Sequence, residues 1–210
     1  MTIVFSLGGS ILYSKPEIVI EIGKFARGSK ERIVVVVGGG KSARLLVSLG
    51  KLLGLKDRDL HEIGISATLM NALLVSKAIG GTFYKGDPRK LPHKKLLVIG
   101  GFKPGWTTDV CAAYACVSSG ANVLFNLSKE RGVYDKDPEK FTSAKLLNKL
   151  SFKRLYTLTR GGRRPGMNYI FDPLAARICV SSDIKVIVTN RFRDVSVYLS
   201  GRSVNGSLIA

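Results

Sequence analysis

The chain has 210 residues, 45% of them hydrophobic, and carries 33 Lys and Arg against 15 Asp and Glu, a formal charge of +18. That length suffices for one α/β domain or two small ones around a buried core, while no apolar run reaches the roughly eighteen residues that span a bilayer and Met1-Thr2-Ile3-Val4-Phe5 lacks the basic region of a signal peptide, so a cytoplasmic protein with no membrane partner is expected. The charge implies polyanionic company, but the cations are scattered and no aromatics alternate with them, so nucleic acid is not the expected partner.

Strands and helices alternate along the whole sequence. Residues 3–7 form an apolar strand ending in Gly8-Gly9-Ser10. Ser14, with Glu17 three residues on, reads as the N-cap of a helix to about residue 26. A β-branched strand over residues 32–37 runs into Gly38-Gly39-Gly40, then Lys41-Ser42-Ala43-Arg44 and leucines at helical spacing. Asp59 and Glu62 repeat the capping pattern ahead of a helix over residues 63–78. A strand over residues 96–99 ends in Gly100-Gly101, and Thr107 or Thr108 starts a helix through residue 117. Residues 122–127 and 185–188 read as further strands, with Asp172-Pro173 capping a helix over residues 174–180. Several strands are apolar on both faces and so belong inside a parallel sheet covered by helices. One domain over residues 1–210 is expected, softly divided near residue 121.

Three glycine pairs thus fall where parallel strands stop, the edge at which open α/β sheets bind ligands. Glycine lets a backbone turn tightly and bring its N–H groups near an anion, and a following helix adds unpaired N–H donors. Lys41 and Arg44 lie one helical turn apart and can face the same phosphate. A fourth segment, Arg160-Gly161-Gly162-Arg163-Arg164-Pro165-Gly166, is basic and rich in glycine, suited to closing over phosphates or to a solvated loop. A P-loop is excluded because the glycine it needs at position 35 is Val35. Gly38-x-Gly40-x-x-Ala43 matches the dinucleotide fingerprint, with Asp57 and Asp59 near the ribose position, but no strand lies between. Cys111, Cys116 and Cys179 have only His61 and His93 as companions, so no metal site is expected.

Six motifs stand in one order: Gly8-Gly9-Ser10; Gly38-Gly39-Gly40-Lys41-x-x-Arg44; Gly64-Ile65-x-Ala67-Thr68-x-Met70-Asn71-Ala72; Gly100-Gly101-x-x-Pro104-Gly105-x-Thr107-Thr108-Asp109; Gly132-Val133-Tyr134-x-x-Asp137-Pro138; and Asp172-Pro173-Leu174-Ala175-Ala176. Over nearly the whole chain this resembles the uridylate kinases of archaeal type, in the amino-acid-kinase superfamily. The resemblance implies a three-layer α/β/α sandwich with a mainly parallel central sheet. It also implies phosphorylation of UMP to UDP with ATP and Mg²⁺, and a homo-oligomer, usually a hexamer. It divides the chain into an acceptor-binding half, residues 1–120, and an ATP-binding half, residues 121–210.

Carried over by position, the resemblance puts Gly8, Gly9 and Ser10 at the ATP phosphates, Gly39 at UMP, and Gly40 and Arg44 at the transferred phosphoryl. Phe102, Lys103, Pro104, Gly105, Trp106, Thr107 and Thr108 would surround uracil and ribose, with Trp106 a flat wall. Ser128, Lys129, Tyr134 and Asp137 match the ATP side. Arg44, Lys129 and Asp172 are expected in catalytic roles, Asp172 by orienting cations. Three positions depart from the family pattern. Ser6 stands where bacterial relatives have lysine, His61 where an aspartate usually holds the UMP ribose, and Arg131 where aspartate precedes Gly-Val-Tyr. These departures, with the charge, admit a weakened nucleotide- or RNA-binding relative as the alternative, besides another small-acceptor kinase of the superfamily.

Overall fold

The computed structural model describes residues 1–158 and 171–210. The basic glycine segment from Arg160 to Gly166 lies outside the described residues.

Two strands make the centre, β1 (Thr2–Leu7) and β2 (Arg32–Val37). Both consist mainly of Ile, Val, Leu and Phe, which fit a pleated surface buried on both faces. Between them lie α1 (Gly9–Ser14) and α2 (Glu17–Gly28). After β2 come α3 (Gly40–Leu52) and the long α4 (Asp57–Ile79), then β3 (Thr82–Tyr84) and β4 (Leu96–Ile99). The second half adds α5 (Thr108–Ser119), β5 (Val123–Leu127), β6 (Lys149–Leu150), α6 (Phe152–Leu158), α7 (Pro173–Ser181), β7 (Lys185–Thr189), α8 (Arg193–Leu199) and β8 (Ser207–Ile209).

The sheet order is β3-β4-β2-β1-β5-β7-β8-β6, with β7 and β8 antiparallel and the other neighbours parallel. Alternation along β2 divides the core. Val34 and Val36 join Val110, Cys111 and Ala175 on the side of α5 and α7, whereas Ile33, Val35 and Val37 join Ile11, Ile22, Ala72 and Val75 on the side of α1, α2 and α4. Helices therefore cover both faces, which is the expected three-layer α/β/α arrangement. All three cysteines are buried, unpaired and part of the first of these cores.

Some local expectations are corrected. Ser14 ends α1 instead of capping the next helix, its hydroxyl donating back to the Ser10 carbonyl, and α2 begins after Pro16. Asp59 sits inside the first turn of α4, which starts at Asp57 because nothing in residues 57–62 breaks a helix. No strand separates α3 from α4, so Asp57 and Asp59 do not end one, and the dinucleotide reading loses its ribose acid. The helix α4 is long and apolar enough to cross a membrane by length and composition alone, but Leu60, Ala67, Ala72, Val75 and Ile79 along it are buried in the protein.

Candidate active site

Register brings the turns together. Leu7 is opposite both Val37 and Leu127, Leu127 is opposite Thr189, and Val36 is opposite Ile99. The chain therefore leaves the sheet at one level at Gly8, Gly38, Gly100, Ser128 and Asn190. The chain passes from β1 to β2, β4 and β3 on one side and returns to β5 on the other, so the crevice above β1 is a topological switch point.

The first two turns touch backbone to backbone. A Cβ on Gly9 would collide with the Gly40 nitrogen, one on Gly38 would come within 2.7 Å of the Gly9 nitrogen, and Gly40 has φ +56. Only glycine meets all three demands, a close approach on each side and a left-handed backbone. Ser10 lies in the first turn of α1, and Arg44 reaches across from α3, its Nη1 at 3.5 Å from the Ser10 Oγ. Lys41 is exposed on the same first turn of α3.

Helix α4 ties the turns from behind. Thr68 Oγ1 accepts from the Gly101 N–H at 2.6 Å, and one turn on, the buried Asn71 donates to the carbonyls of Gly38 and Gly39 at 2.8 and 3.0 Å. His61 is on α4 as well, two turns before Thr68, exposed to solvent. The structure does not bring it to the glycine turns, which lie roughly 10 Å further along the helix axis at 1.5 Å rise per residue.

In the 102–108 segment, Thr107 caps α5 by accepting from the Val110 N–H, and its hydroxyl donates to Asp172 Oδ2 at 3.0 Å. Thr108 Oγ1 lies against Gly38. Pro104 and Gly105 form the exposed tip, with Gly105 at φ +79. The ring of Trp106, expected as a flat wall, stacks on Tyr114 at 4.5 Å between centroids, lies 6.0 Å from Phe102, and has the cations of Lys103 and Arg89 4.3 and 5.4 Å from its centre. Aromatic faces attract both rings and cations, which accounts for this cluster.

On the other side, the Ser128 N–H donates to the Thr189 carbonyl and its hydroxyl to the Glu130 carbonyl. Lys129 is exposed and paired with Glu139 at 2.7 Å, a contact that raises its pKa. Tyr134 forms a bridge with Leu146. Asp137 is exposed and accepts from the Glu139 N–H, which closes a turn.

The most perturbed acid at this edge is one that no site expectation named. Asp109, in the first turn of α5, accepts from Ser6 Oγ and Asn126 Nδ2 at 3.0 Å each and from the Asp172 N–H at 3.3 Å. Loss of water around it pushes its pKa up to about 6, and the neighbouring Asp172 carboxylate adds to the rise. Asp172 is buried, accepts from the Leu174 N–H at 2.7 Å as the cap of α7, and faces Thr107. The signal for Asp109 was present as the acid closing Gly105-x-Thr107-Thr108-Asp109, but a helix-start aspartate by itself indicates only a favourable dipole contact. Two cavities, of about 650 and 510 Å³, open elsewhere, beside Met1 and Lys185 and beside Arg27 and Lys95, and neither is lined by the glycine turns.

Residues 1–190 match the model of the amino acid kinase family. The chain belongs to the amino acid kinase family. Among curated members, it is 37% identical over 201 residues to the uridylate kinase of Thermoplasma volcanium, covering 90% of this chain and 88% of that one. It is 34% identical to the uridylate kinase of Methanocaldococcus jannaschii over 224 aligned positions, covering 100% and 99%. Among solved structures, the uridylate kinase from Archaeoglobus fulgidus superposes with a TM-score of 0.82 at 34% identity over the full length of both chains. The UMP kinase from Ureaplasma parvum shares the fold, with a TM-score of 0.75 at 20% identity.

Proposed function

We propose that this protein transfers the γ-phosphoryl group of ATP to UMP, giving UDP and ADP, by direct in-line displacement. The observation that carries the reading is the contact between the β1 and β2 turns, where two glycine backbones meet without side chains between them, in a chain whose full-length relatives are named uridylate kinases. ATP would lie on the half from residue 121, over Ser128, Lys129, Tyr134 and Asp137, with its phosphates on Gly8, Gly9 and Ser10. UMP would lie on the half up to residue 120, its phosphate on Gly39 and its uridine along the 102–108 segment.

The acceptor is already an ionised phosphate oxygen, so no strong base is needed. Rate acceleration comes from aligning two nucleotides end to end and from a positive field on the moving phosphoryl. Ser6 donates to Asp109, so it supplies no charge there, and Lys129 is drawn to Glu139. Arg44, at the meeting of the two turns, is the cation best placed for the transferred group. Asp172 acts through Thr107, fixing the base-side loop relative to α7. Among the described residues no three acidic, His or Cys side chains converge as a metal cage. Asp109 and Asp172 are already engaged by hydrogen-bond donors, so Mg²⁺ would arrive on the ATP phosphates, where it neutralises charge.

The homo-oligomer fits one face. Leu45, Leu49 and Leu52 on α3, Leu53 after it, and Met70 and Leu74 on α4 are exposed apolar residues on two helices packed together. A patch of this kind on a charged protein marks an interface, and we assign it to a second copy, within the hexamer that the resemblance implies.

A coupled assay across UMP, CMP, dUMP, carbamate, aspartate, glutamate and isopentenyl phosphate tests the function. UMP is expected to be the best acceptor, and preference for any other compound overturns the reading.

A further inference from the structure

The carbonyl oxygens of Gly38 and Gly39 both accept from Nδ2 of Asn71, that of Gly39 sharing it with the Ser42 hydroxyl at 2.8 Å and the Ala43 N–H at 3.3 Å. Asn71 is buried, and its Oδ1 accepts from the Tyr13 hydroxyl at 3.2 Å. That donor decides which end of the amide faces the turn, because Oδ1 can only accept and Nδ2 can only donate. A trans peptide is planar, with its N–H directed opposite its C=O. Holding these two carbonyls against α4 therefore turns the N–H groups of Gly39 and Gly40 away from α4, toward the β1 turn, where Gly9 packs against the Gly40 nitrogen. Neither N–H has an acceptor within the described residues.

We propose that Asn71 is the positioning residue of the acceptor-phosphate site: it holds the β2 turn in the peptide orientation that presents two adjacent N–H groups to an anion, and Tyr13 fixes its amide in that sense. This rests on the function proposed above. Tyr13 belongs to α1, the helix that begins at Gly9, so the same two side chains also register the β1 turn against the β2 turn. Phosphate oxygens gain most from donors that are already aligned and unpaired, since no internal hydrogen bond has to break when the anion arrives.

The test compares wild type with Asn71→Asp and Tyr13→Phe in steady-state kinetics, with melting temperature measured alongside. In Asn71→Asp an ionised carboxylate faces two carbonyl oxygens and repels them, so the UMP KM is expected to rise about tenfold at pH 7.5 while the ATP KM changes less than about twofold. Its activity relative to wild type is expected to recover as the pH falls toward 5, where a protonated carboxyl can donate to one of the carbonyls. Tyr13→Phe is half exposed and should fold, with the UMP KM raised about threefold and the melting temperature unchanged. An unchanged UMP KM in Asn71→Asp, an equal rise in both KM values, or a relative activity flat with pH overturns the proposal. Should Asn71→Asp fail to fold, Tyr13→Phe decides, and an unchanged UMP KM overturns it. A wild type that does not phosphorylate UMP overturns the proposed function instead.

Discussion

The main-chain N–H of Asp172 donates to Oδ2 of Asp109 at 3.3 Å, which joins the cap of α7 to the first turn of α5 in one acid cluster. Asp109 also takes hydrogen bonds from Ser6 on β1 and Asn126 on β5, so the strands flanking the crevice and the helices behind it meet at one carboxyl.

This cluster sets a pH dependence. The pKa of Asp109 is pushed up to about 6 in the folded protein against an ordinary 3.8, so between these values the folded state holds a proton that the unfolded chain has lost. Its contribution to stability is therefore fully present below about pH 4 and is lost as the pH rises through 6. The three donors suit the ionised form, so kcat is expected to fall below a midpoint near pH 6. Asp109→Asn should remove that limb and lower kcat about tenfold at pH 7.5, the effect of losing charge-assisted hydrogen bonds. A pH–rate profile of both proteins checks this, and an acid limb that survives the substitution excludes Asp109 as its source.

Arg44→Ala is expected to lower kcat by at least about tenfold, since a charge-assisted phosphate contact contributes roughly 1.5 kcal/mol or more. Lys129→Ala should cost less than about threefold, because its ammonium is already paired with Glu139. A reversed ranking would make Lys129 the principal cation.

Gly9→Ala forces a methyl into the backbone of the β2 turn, which has no flexible side chain to yield. A loss of about 1–3 kcal/mol in urea unfolding is expected, as for overpacked sites generally, together with loss of ATP binding by calorimetry. Gly28→Ala, where a Cβ would meet nothing, is the control and should retain both.

The apolar face of α3 and α4 gives a third kind of test. A Leu49→Glu, Leu74→Glu double variant should run as a smaller species in light scattering, because burying two unpaired carboxylates in an interface is strongly unfavourable. An unchanged mass would place any oligomer contact elsewhere.

Much of the fold was legible because its signals are local. The run Ile33-Val34-Val35-Val36-Val37 can only be a doubly buried strand, and Thr107 and Asp172 cap helices through N–H groups two or three residues away. The short strands β3, β6 and β8 escaped, since two or three residues carry no measurable alternation and pair only because a neighbouring edge is there. The stacking of Trp106 on Tyr114 was not legible either, because nothing in sequence tells that Tyr114, two helical turns on, lies beneath it.

By itself the sequence determined the strands, their glycine endings and the family, because period, turn chemistry and motif order are properties of short segments. Only the tertiary structure decided which side chains serve those turns. Ser6 and Asp109 are 103 positions apart, Asp109 and Asp172 63, and Asn71 is 33 from Gly38. Their meeting follows from the order β4-β2-β1-β5-β7 and the packing of α4 and α5 across it. The raised pKa of Asp109 and the direction of the Gly39 N–H are consequences of that order, since burial and donor placement arise only once distant segments exclude water together.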